Sequence, residues 1–425
     1  MNTTISRRPA RWLAGALLGL SLTGAAVAET YYKWTSVELP ASTGASCGNG
    51  TPYRFFINRT PFTSKTVVMF EGGGACWAKG ACQGEGGLLG ASNPNGVPAN
   101  YLSSLTMAAY GLVTPFTSRV NPFNSIQTQS WNIIYVPYCT GDVHSGNKIA
   151  LYPDKDPSKA SLTYFHKGAV NGEALAKWMA ANMAKPDHLL VTGFSAGGAG
   201  ATSNYSTLRE IVKPKMQTML ADSGPQMQAD RKAAVPAASL KLHDKIREAW
   251  GLDGPEGLVT KLVAKFPGIG SPDNLGSLTT ALAQVYKDDR LGFAVFQADR
   301  IYSAFSYTDF YPEIANAATD AEKDKLLLAK WQPEVKAWTE AMKPYPNMGF
   351  YIPYERNLLD SHCLTVVGFG GTAIKEARHK SVEVFLDNLL SRSGTVIKAY
   401  ETAPTTQASG GLGALWDSIV KALGG

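Results

Sequence analysis

The feature that most constrains the fold is a serine placed between two glycines directly after an apolar run. The segment reads Val191-Thr192-Gly193-Phe194-Ser195-Ala196-Gly197-Gly198. Residues 187–193 predict a β-strand and residues 199–212 predict an α-helix, so the serine falls at a sharp strand-to-helix turn. Glycines two positions before and after it let the backbone bend without a Cβ clash. This arrangement exposes the hydroxyl of Ser195 and is typical of a catalytic nucleophile.

Apolar strand-like runs alternate with helical patterns along the rest of the chain. Further strands are predicted over residues 66–71, 131–136, 217–222 and 348–353, and a helix over 167–183 precedes the serine. The alternation predicts an α/β fold with a mostly parallel central sheet flanked by helices.

The pattern becomes mainly helical between the strands that end near Asp222 and begin near Met348. Helices are predicted over residues 238–250, 277–286, 290–302 and 320–342. We therefore interpret about residues 225–345 as a helical insertion or cap. A last helix is predicted over about residues 372–391.

The first 28 residues have the layout of a secretory signal peptide. Three arginines (Arg7, Arg8 and Arg11) precede an apolar stretch over 12–23, and Ala26-Val27-Ala28 supplies small residues before a cut after Ala28. The alternative is an uncleaved membrane anchor, and the paired arginines leave the export route open. We expect a secreted or periplasmic protein in which residues 29–425 form a single domain, because no linker divides them.

Charge gives no argument for a nucleic-acid partner. The formal net charge of +6 includes the three leader arginines, which leaves +3 for the mature chain, without a basic block. Beyond the leader, no apolar run is long enough to span a membrane. The sequence leaves the oligomeric state open.

Five cysteines form an odd set, so an oxidising compartment would give at most two disulfides and one free thiol. Cys76 and Cys82 form the simplest pair, because they close a short loop that contains Gly80. No pair of cysteines has the C-x-x-C spacing of a zinc site, so we do not expect zinc. We expect no cofactor.

A serine nucleophile needs a histidine to accept its proton. On an α/β-hydrolase scaffold the histidine follows the serine in the chain, which excludes three of the six histidines. Of the remaining three, His243 and His379 fall in patterns typical of solvated helix faces. His362 follows the last predicted strand after a short polar loop, so it is the predicted base.

The carboxylate that orients the histidine is less well defined by the sequence. Asp222 ends a strand directly after the serine unit, Asp299 lies in an otherwise apolar stretch, and Asp360 is two residues from His362. The order of residues in the chain does not decide which of the three carboxylates orients the histidine.

Backbone donors for a tetrahedral oxyanion are available at two places. The residue after the nucleophile is Ala196, and Gly72-Gly73-Gly74 follows the first strong strand. Acyl-transfer enzymes draw their donors from these two positions. A phosphate-binding loop is excluded because no Gly-Lys-Ser/Thr follows the glycines.

Four motifs, in this order, resemble those of the pectin acetylesterase/Notum family. They cover residues 70–77, 136–146, 192–198 and 220–224. The resemblance implies an α/β-hydrolase-like carboxylesterase with a Ser-Asp-His triad and no metal. It implies that Ser195 is the nucleophile, Asp299 the acid and His362 the base.

The same resemblance implies roles for further residues. It assigns the oxyanion donors to Gly73, Gly74 and Ala196. It also implies Cys47–Cys139 and Cys76–Cys82 disulfides, with Cys363 as the free thiol.

The predicted function is that of a secreted serine carboxylesterase that deacetylates a polysaccharide or another O-acylated substrate through an acyl-serine intermediate. An alternative is a lipase or polyester depolymerase in which residues 240–342 form an apolar lid. A third hypothesis, from another class, is a non-catalytic carbohydrate-binding protein. Acyl-chain preference separates the first two, and an intact serine and histidine argue against the third.

Overall fold

A nine-stranded β-sheet is the centre of the described part of the chain. The structure is a computed structural model that describes residues 30–103, 114–119 and 126–408. The predicted signal peptide and its cleavage site lie outside these residues. From Tyr31 onwards the described residues group into one compact unit.

The strands are numbered in chain order. They are β1 (Trp34–Glu38), β2 (Arg54–Asn58), β3 (Thr66–Phe70), β4 (Asn132–Val136), β5 (Lys148–Tyr152), β6 (Leu162–His166), β7 (His188–Phe194), β8 (Met216–Asp222), β9 (Arg290–Ala294), β10 (Met348–Ile352), β11 (Glu355–Asn357), β12 (Lys398–Tyr400) and β13 (Thr406–Ala408). The large sheet has the order β1-β2-β4-β3-β7-β8-β9-β10-β12. Two small sheets pair β5 with β6 and β11 with β13.

The helices are numbered in the same way. They are α1 (Lys79–Cys82), α2 (Gly168–Asn182), α3 (Ala196–Val212), α4 (Leu240–Trp250), α5 (Leu258–Lys265), α6 (Ser277–Val285), α7 (Arg300–Tyr307), α8 (Pro312–Ala315), α9 (Asp320–Met342) and α10 (Glu383–Ser391). Short 3₁₀ segments occur at Ala41–Thr43, Gly87–Leu89, Tyr101–Ser103, Gln127–Ser130, Leu359–Ser361 and Lys375–Ala377. None of the helices in the described ranges is both long and apolar enough to span a membrane.

The prediction of an α/β fold with a mostly parallel sheet is confirmed. β1 pairs antiparallel with β2 and β2 with β4, whereas every later neighbour in the large sheet is parallel. Helices pack on this sheet, with α3 against β7 and β8 and α10 against β8 and β9. Strands covered on both faces are mostly apolar, and every residue of β3, β4 and β10 is buried.

The prediction of a helix over residues 290–302 is wrong. Residues 290–294 form β9, which lies between β8 and β10, and α7 starts only at Arg300. A short, continuous apolar run has no alternation, because both faces of the strand are buried, and so it resembles a buried helix. The predicted helical insertion over about 225–345 is therefore interrupted by a strand of the central sheet.

The last predicted helix is partly wrong as well. Only residues 383–391 are α-helical, and residues 375–377 form a separate 3₁₀ segment. Arg378 adopts a left-handed conformation with φ of 56°, which ends that segment before a helix can continue. By contrast, α9 has the predicted bounds, and Thr319 caps it by accepting a hydrogen bond from the backbone N–H of Glu322.

Candidate active site

Ser195 lies at the turn between β7 and α3, where its side chain is half-buried. Its φ of 55° and ψ of −125° place a non-glycine residue in a strained part of conformational space. The Ser195 N–H donates a hydrogen bond of 2.9 Å to the carbonyl oxygen of Asp222, at the end of the neighbouring strand. The predicted strand, turn and helix around Ser195 are therefore present, and α3 begins directly after the serine.

Two glycines beside Ser195 allow the chain to pack this tightly. A Cβ on Gly193 would lie 2.2 Å from the carbonyl oxygen of Gly197, and a Cβ on Gly197 would lie 2.1 Å from that of Phe70. Both separations are far below van der Waals contact, so a side chain at either position would force the backbones apart. The glycines thus bring the start of α3 against the end of β3, where the second glycine-rich segment begins.

His362 forms a buried pair with Asp299. The Nδ1 atom of His362 lies 2.8 Å from Oδ2 of Asp299, and the two residues are 8% and 0% exposed. Asp299 also caps α7, because its Oδ1 accepts a 2.8 Å hydrogen bond from the N–H of Tyr302. An acceptor at Nδ1 favours the tautomer with hydrogen on that nitrogen, which leaves Nε2 as a proton acceptor. Within the described ranges, Nε2 of His362 has no hydrogen-bond partner.

The loop that carries His362 is fastened to Asp222. The Asp222 carboxylate accepts hydrogen bonds from the N–H groups of Leu364 (2.9 Å) and Thr365 (2.8 Å), and from the Thr365 hydroxyl (2.7 Å). Ser223 adds a bridge, since its hydroxyl accepts from the N–H of Cys363 at 3.0 Å. Asp222 is therefore a structural anchor for the histidine loop, and the structure pairs the histidine with Asp299 instead. Burial raises the pKa of Asp222 above its ordinary value.

The other candidates from the sequence lie elsewhere. Asp360 is exposed, outside the buried pair. The prediction that His243 lies on a solvated helix face is wrong, because it is 4% exposed and packs inside the protein. His379 is half-buried beside a 3₁₀ segment, not on a helix.

The three histidines that precede Ser195 in the chain have structural hydrogen bonds. His144 contacts the carbonyl oxygen of Glu71, His166 contacts that of Thr140, and His188 contacts the hydroxyl of Thr218, at 2.8–3.0 Å. Burial lowers the pKa of each to about 4, so all three are neutral near pH 7.

The predicted oxyanion donors lie in the same cavity as Ser195 and His362. Gly73, Gly74 and Ala196 all line it. Ala196 is the first residue of α3, so its N–H has no partner within the helix. No partner for the Gly73 or Gly74 N–H occurs among the described backbone hydrogen bonds. A Cβ on Gly74 would lie 2.1 Å from the carbonyl oxygen of Gly90, so this loop too depends on glycine.

Glu71, which precedes the three glycines, was missed by the sequence analysis. Its carboxylate accepts hydrogen bonds of 2.7 Å from the Tyr101 hydroxyl and from the backbone N–H of Tyr138. Burial raises its pKa to about 7, against the opposing effect of these hydrogen bonds. The signal was a charged residue directly after a mostly apolar strand. Such a residue is buried only when partners satisfy it.

The structure contains the two disulfides that the family resemblance implies. Cys47 bonds to Cys139 and Cys76 bonds to Cys82, while Cys363 is free and buried. Together with His166, Cys76 and Cys82 are the one set of close potential metal ligands in the described ranges. Their sulfurs are joined in a disulfide, so they offer no thiolates, and this cluster does not fit a metal site.

The cavity beside Ser195 is small and mostly apolar. Its other lining residues include Val143, from the segment between β4 and β5, and Tyr302 and Phe305 of α7. About 20 Å³ of its volume is open to the centres of water molecules, which is room for one or two of them. The sequence analysis did not identify these lining residues. Phe305 belongs to α7, and the start of α7 can be placed only once residues 290–294 are recognised as β9.

The fold and this site define a protein of the α/β-hydrolase-like class, with a serine, a histidine–aspartate pair and backbone donors around one cavity. A family model described as "PAE: Pectinacetylesterase" matches residues 25–237, which is half of the chain. The chain belongs to the pectinacetylesterase family.

Individual relatives are more distant. The chain is 24% identical over 220 residues to "Palmitoleoyl-protein carboxylesterase NOTUM" of Drosophila melanogaster, an alignment that covers 50% of this chain and 30% of the relative. It is 25% identical over 175 residues to notum2 of Xenopus laevis, which covers 40% and 32%. The chain thus matches about a third of the length of these curated relatives. A third relative, from Danio rerio, is described as an inactive carboxylesterase and is 26% identical over 113 residues, covering 26% of this chain and 73% of the relative.

A solved structure extends the likeness over most of the chain. The Wnt deacylase Notum from Drosophila superimposes with a TM-score of 0.54 and 16% identity, covering 88% of this chain and 97% of that one. At this identity the comparison establishes the fold alone.

Proposed function

We propose that this protein is a serine carboxylesterase that removes a short acyl group, with acetyl as the first candidate, from a hydroxylated substrate such as a polysaccharide. The observation that carries the proposal is one cavity lined by Ser195, His362 and three backbone donors, with Asp299 behind the histidine. Family membership supports the same reaction class. Because one relative is described as inactive, the proposal depends on the site as well as on the likeness.

In the first half of the reaction, Oγ of Ser195 attacks the ester carbonyl carbon while its proton passes to Nε2 of His362. The negative charge that develops on the carbonyl oxygen is stabilised by N–H groups of Gly73, Gly74 and Ala196. Asp299 keeps the proton on Nδ1 and stabilises the imidazolium as it forms. The carbon–oxygen bond to the alcohol then breaks, and His362 returns its proton to the leaving alkoxide.

The second half regenerates the enzyme with water. His362 accepts a proton from a water molecule as its oxygen attacks the acyl-serine carbonyl. The tetrahedral intermediate uses the same backbone donors, and as its bond to Oγ of Ser195 breaks, His362 returns the proton to Oγ and the carboxylic acid is released. No metal or organic cofactor is needed for either half.

The size of the cavity favours a short acyl group. Room for one or two water molecules accommodates an acetyl group, whereas a palmitoyl chain would require a much longer tunnel. Phe305 closes the wall on the α7 side, and its ring packs against Trp77 and Tyr302. No observation in the described ranges favours the lipase or depolymerase reading over the acetylesterase reading.

Export through the predicted signal peptide is part of the proposal. Two disulfides are expected in an oxidising compartment and are rare in the bacterial or eukaryotic cytosol. N-terminal sequencing of protein recovered from periplasmic and culture fractions tests cleavage after Ala28. Recovery of an uncleaved chain in a membrane fraction would favour the anchor alternative instead.

The proposed activity is tested by hydrolysis of p-nitrophenyl esters from acetate to palmitate by the purified mature protein. We expect turnover highest for acetate or a similarly short acyl group. Ser195→Ala should abolish turnover, and acetylated polysaccharides should release acetate. Mass spectrometry of quenched reactions should detect an added acyl group on the peptide that contains Ser195.

A matched serine variant controls for effects unrelated to the site. Ser158 is exposed, so Ser158→Ala should retain full activity. Preference for long chains would establish the lipase or depolymerase alternative. If no ester were hydrolysed in a Ser195-dependent manner, the esterase proposal would be wrong, and a carbohydrate-binding role would be tested with polysaccharide pull-downs.

A further inference from the structure

Val143 has an unusual backbone conformation for its residue type. It lies in the segment between β4 and β5, and its φ is 48°. A positive φ is uncommon outside glycine, and it is least favourable for a β-branched side chain, which crowds the neighbouring backbone. Glycine would adopt this conformation without strain. The chain thus carries a valine where its backbone disfavours one, and strained residues of this kind cluster at functional sites.

Hydrogen bonds hold the strained segment in place. The N–H of Val143 donates a 2.7 Å bond to the hydroxyl oxygen of Tyr138, and both residues are buried. The next residue, His144, also has a positive φ, of 58°. Its ring is bonded to the carbonyl oxygen of Glu71, and its carbonyl oxygen accepts from the side chain of Asn204, each at 2.9 Å. The surrounding structure therefore determines the conformation of this segment.

Val143 lies in the wall of the cavity that contains Ser195, which we call the Ser195 cavity. It is 8% exposed and belongs to the same apolar cluster as Ala75 and Ala196. It also lines a second cavity, which is formed mainly by α3, α4 and the segment after β8. Val143 therefore lies between the Ser195 cavity and the space behind it.

Tyr138 contacts the glycine loop, residues 72–74, as well as Val143. A Cβ on Gly73 would lie 2.6 Å from Cδ1 of the Tyr138 ring, so the loop packs directly against this ring. The N–H of Tyr138 donates a 2.7 Å hydrogen bond to the carboxylate of Glu71, which precedes the loop. The ring and the hydroxyl of Tyr138 thus have separate contacts, and a substitution that removes only the hydroxyl acts on Val143 alone.

We propose that Val143 limits the length of the acyl group that the Ser195 cavity accepts, and that Tyr138 is the residue that positions Val143. The inference rests on the proposed esterase function and adds the residues that set its acyl preference. An acetyl group on Ser195 ends at Val143, whereas a butyryl group overlaps the valine side chain. Moving this wall aside would leave the buried N–H of Val143 without a partner, so a longer acyl group cannot displace it freely.

The test changes the size of residue 143 in both directions and measures hydrolysis of p-nitrophenyl acetate and p-nitrophenyl butyrate. A single methylene in an apolar pocket changes kcat/KM by about 10- to 200-fold, so we expect the wild-type protein to prefer acetate by about tenfold or more. Val143→Ala removes two methyl groups, and butyryl has two more carbons than acetyl. This variant should lower the acetate-to-butyrate ratio of kcat/KM by about tenfold, and Val143→Ile should raise the ratio.

Val143→Gly guards the test against a folding defect. Glycine suits a φ of 48°, so this variant should fold even if Val143→Ala were unstable. It removes the whole side chain and should lower the ratio at least as far as Val143→Ala does.

Tyr138→Phe tests the positioning role, because it removes the hydroxyl and keeps the ring against Gly73. We expect the ratio to fall by about threefold or more, since Val143 loses the bond that fixes its backbone. Added to Val143→Ala, the same substitution should change the ratio little, because the hydroxyl acts through the valine side chain. Tyr351→Phe is the matched control and should leave the ratio unchanged. Tyr351 is buried, its hydroxyl bonds to the carbonyl oxygen of Thr372 at 2.7 Å, and it lines neither cavity.

The ratio separates a specific role from a structural one, because loss of folded protein lowers both activities equally. Unchanged ratios in Val143→Ala and Val143→Gly would overturn the proposal. A wild-type ratio near one, with turnover that depends on Ser195, would also overturn it and would leave the esterase function standing. A lower ratio in Val143→Ala with an unchanged ratio in Tyr138→Phe would overturn the positioning role alone.

A binding measurement distinguishes failure of this inference from failure of the proposed esterase function. In protein that carries Ser195→Ala, adding Val143→Ala should strengthen binding of ethyl butyrate relative to ethyl acetate by about tenfold in NMR titrations. This result is expected whether or not the wild-type protein hydrolyses either ester. An unchanged ratio of affinities would overturn the role of Val143. A changed ratio without wild-type turnover of any ester would instead overturn the esterase function alone.

Discussion

The pairing of Asp299 with His362 leads to a prediction whose size follows from the structure. In Asp299→Asn, Oδ1 can keep its hydrogen bond from the Tyr302 N–H, which places the new NH₂ group against Nδ1 of His362. The imidazole must then carry its hydrogen on Nε2. In that tautomer it cannot accept a proton from Ser195.

Rotation of the new amide would restore the active tautomer at a cost that can be estimated. The rotated amide loses the helix cap, about 1 kcal/mol, and leaves a buried donor unsatisfied, about 1–3 kcal/mol. A total of about 2–4 kcal/mol corresponds to a fall in kcat/KM of about 30- to 1,000-fold. KM itself should change little, because Asp299 lies behind the histidine and does not contact substrate.

The assay is hydrolysis of p-nitrophenyl acetate, with thermal unfolding measured on the same samples. Asp360→Asn is the exposed control and should be fully active. Asp222→Asn should instead lower the melting temperature, because its new NH₂ group would face the backbone donors of the histidine loop. Activity of Asp299→Asn within about threefold of wild type would refute the proposed role of this carboxylate.

Three further predictions concern the loop, the pH dependence and the disulfides. Glu71→Gln places an amide donor against the Tyr138 N–H or the Tyr101 hydroxyl. We therefore expect kcat for p-nitrophenyl acetate to fall by about tenfold or more at nearly constant KM. An equal fall in kcat and KM would argue against a role of Glu71 in holding the glycine loop. Stability should decrease from pH 6 to pH 5, because His144, His166, His188 and His243 have folded pKa values of about 4 and only the unfolded chain gains their protons there. Glu71 and Asp142, with pKa values raised to about 7 and 6, and Asp222, whose pKa burial also raises, bind protons in the folded state and act in the opposite direction. We expect the four histidines to outweigh these carboxylates, and a flat urea-unfolding profile between pH 6 and pH 5 would contradict this. Replacing Cys47 and Cys139 by serine should lower the free energy of unfolding by about 2–5 kcal/mol, since the bond joins residues 92 apart, and an unchanged urea midpoint would count against that estimate.

The fold was largely predictable where strands and helices keep a distinct sequence pattern. The apolar runs of β3, β4, β7, β8 and β10 were recognised, because each is bounded by turn residues. The strands β1, β2, β5 and β6 were not, and β9 was mistaken for a helix. A five-residue strand that is buried on both faces has no periodicity of its own, and only its neighbours in the sheet identify it.

The candidate site divides in a similar way. The turn around Ser195 and the glycine loop are local features, and local sequence was enough to find both. The choice among Asp222, Asp299 and Asp360 depends on contacts between residues more than 60 positions apart, such as the pair formed by Asp299 and His362. Nor could the sequence show that His243 is buried, because Lys241 and Asp244 beside it suggest an exposed helix.

Asp222 connects the two halves of the candidate site through a single residue. Its carbonyl oxygen holds the backbone of Ser195, and its carboxylate holds the loop that follows His362. Ser195 and the loop of His362 are therefore both held by the end of one central strand, while Val143, Tyr302 and Phe305 line the cavity beside them. Under the proposed function, substitutions at these three residues should change which ester is accepted and leave the spacing of Ser195 and His362 intact. The proposed chemistry and the proposed substrate range would then depend on separate sets of residues.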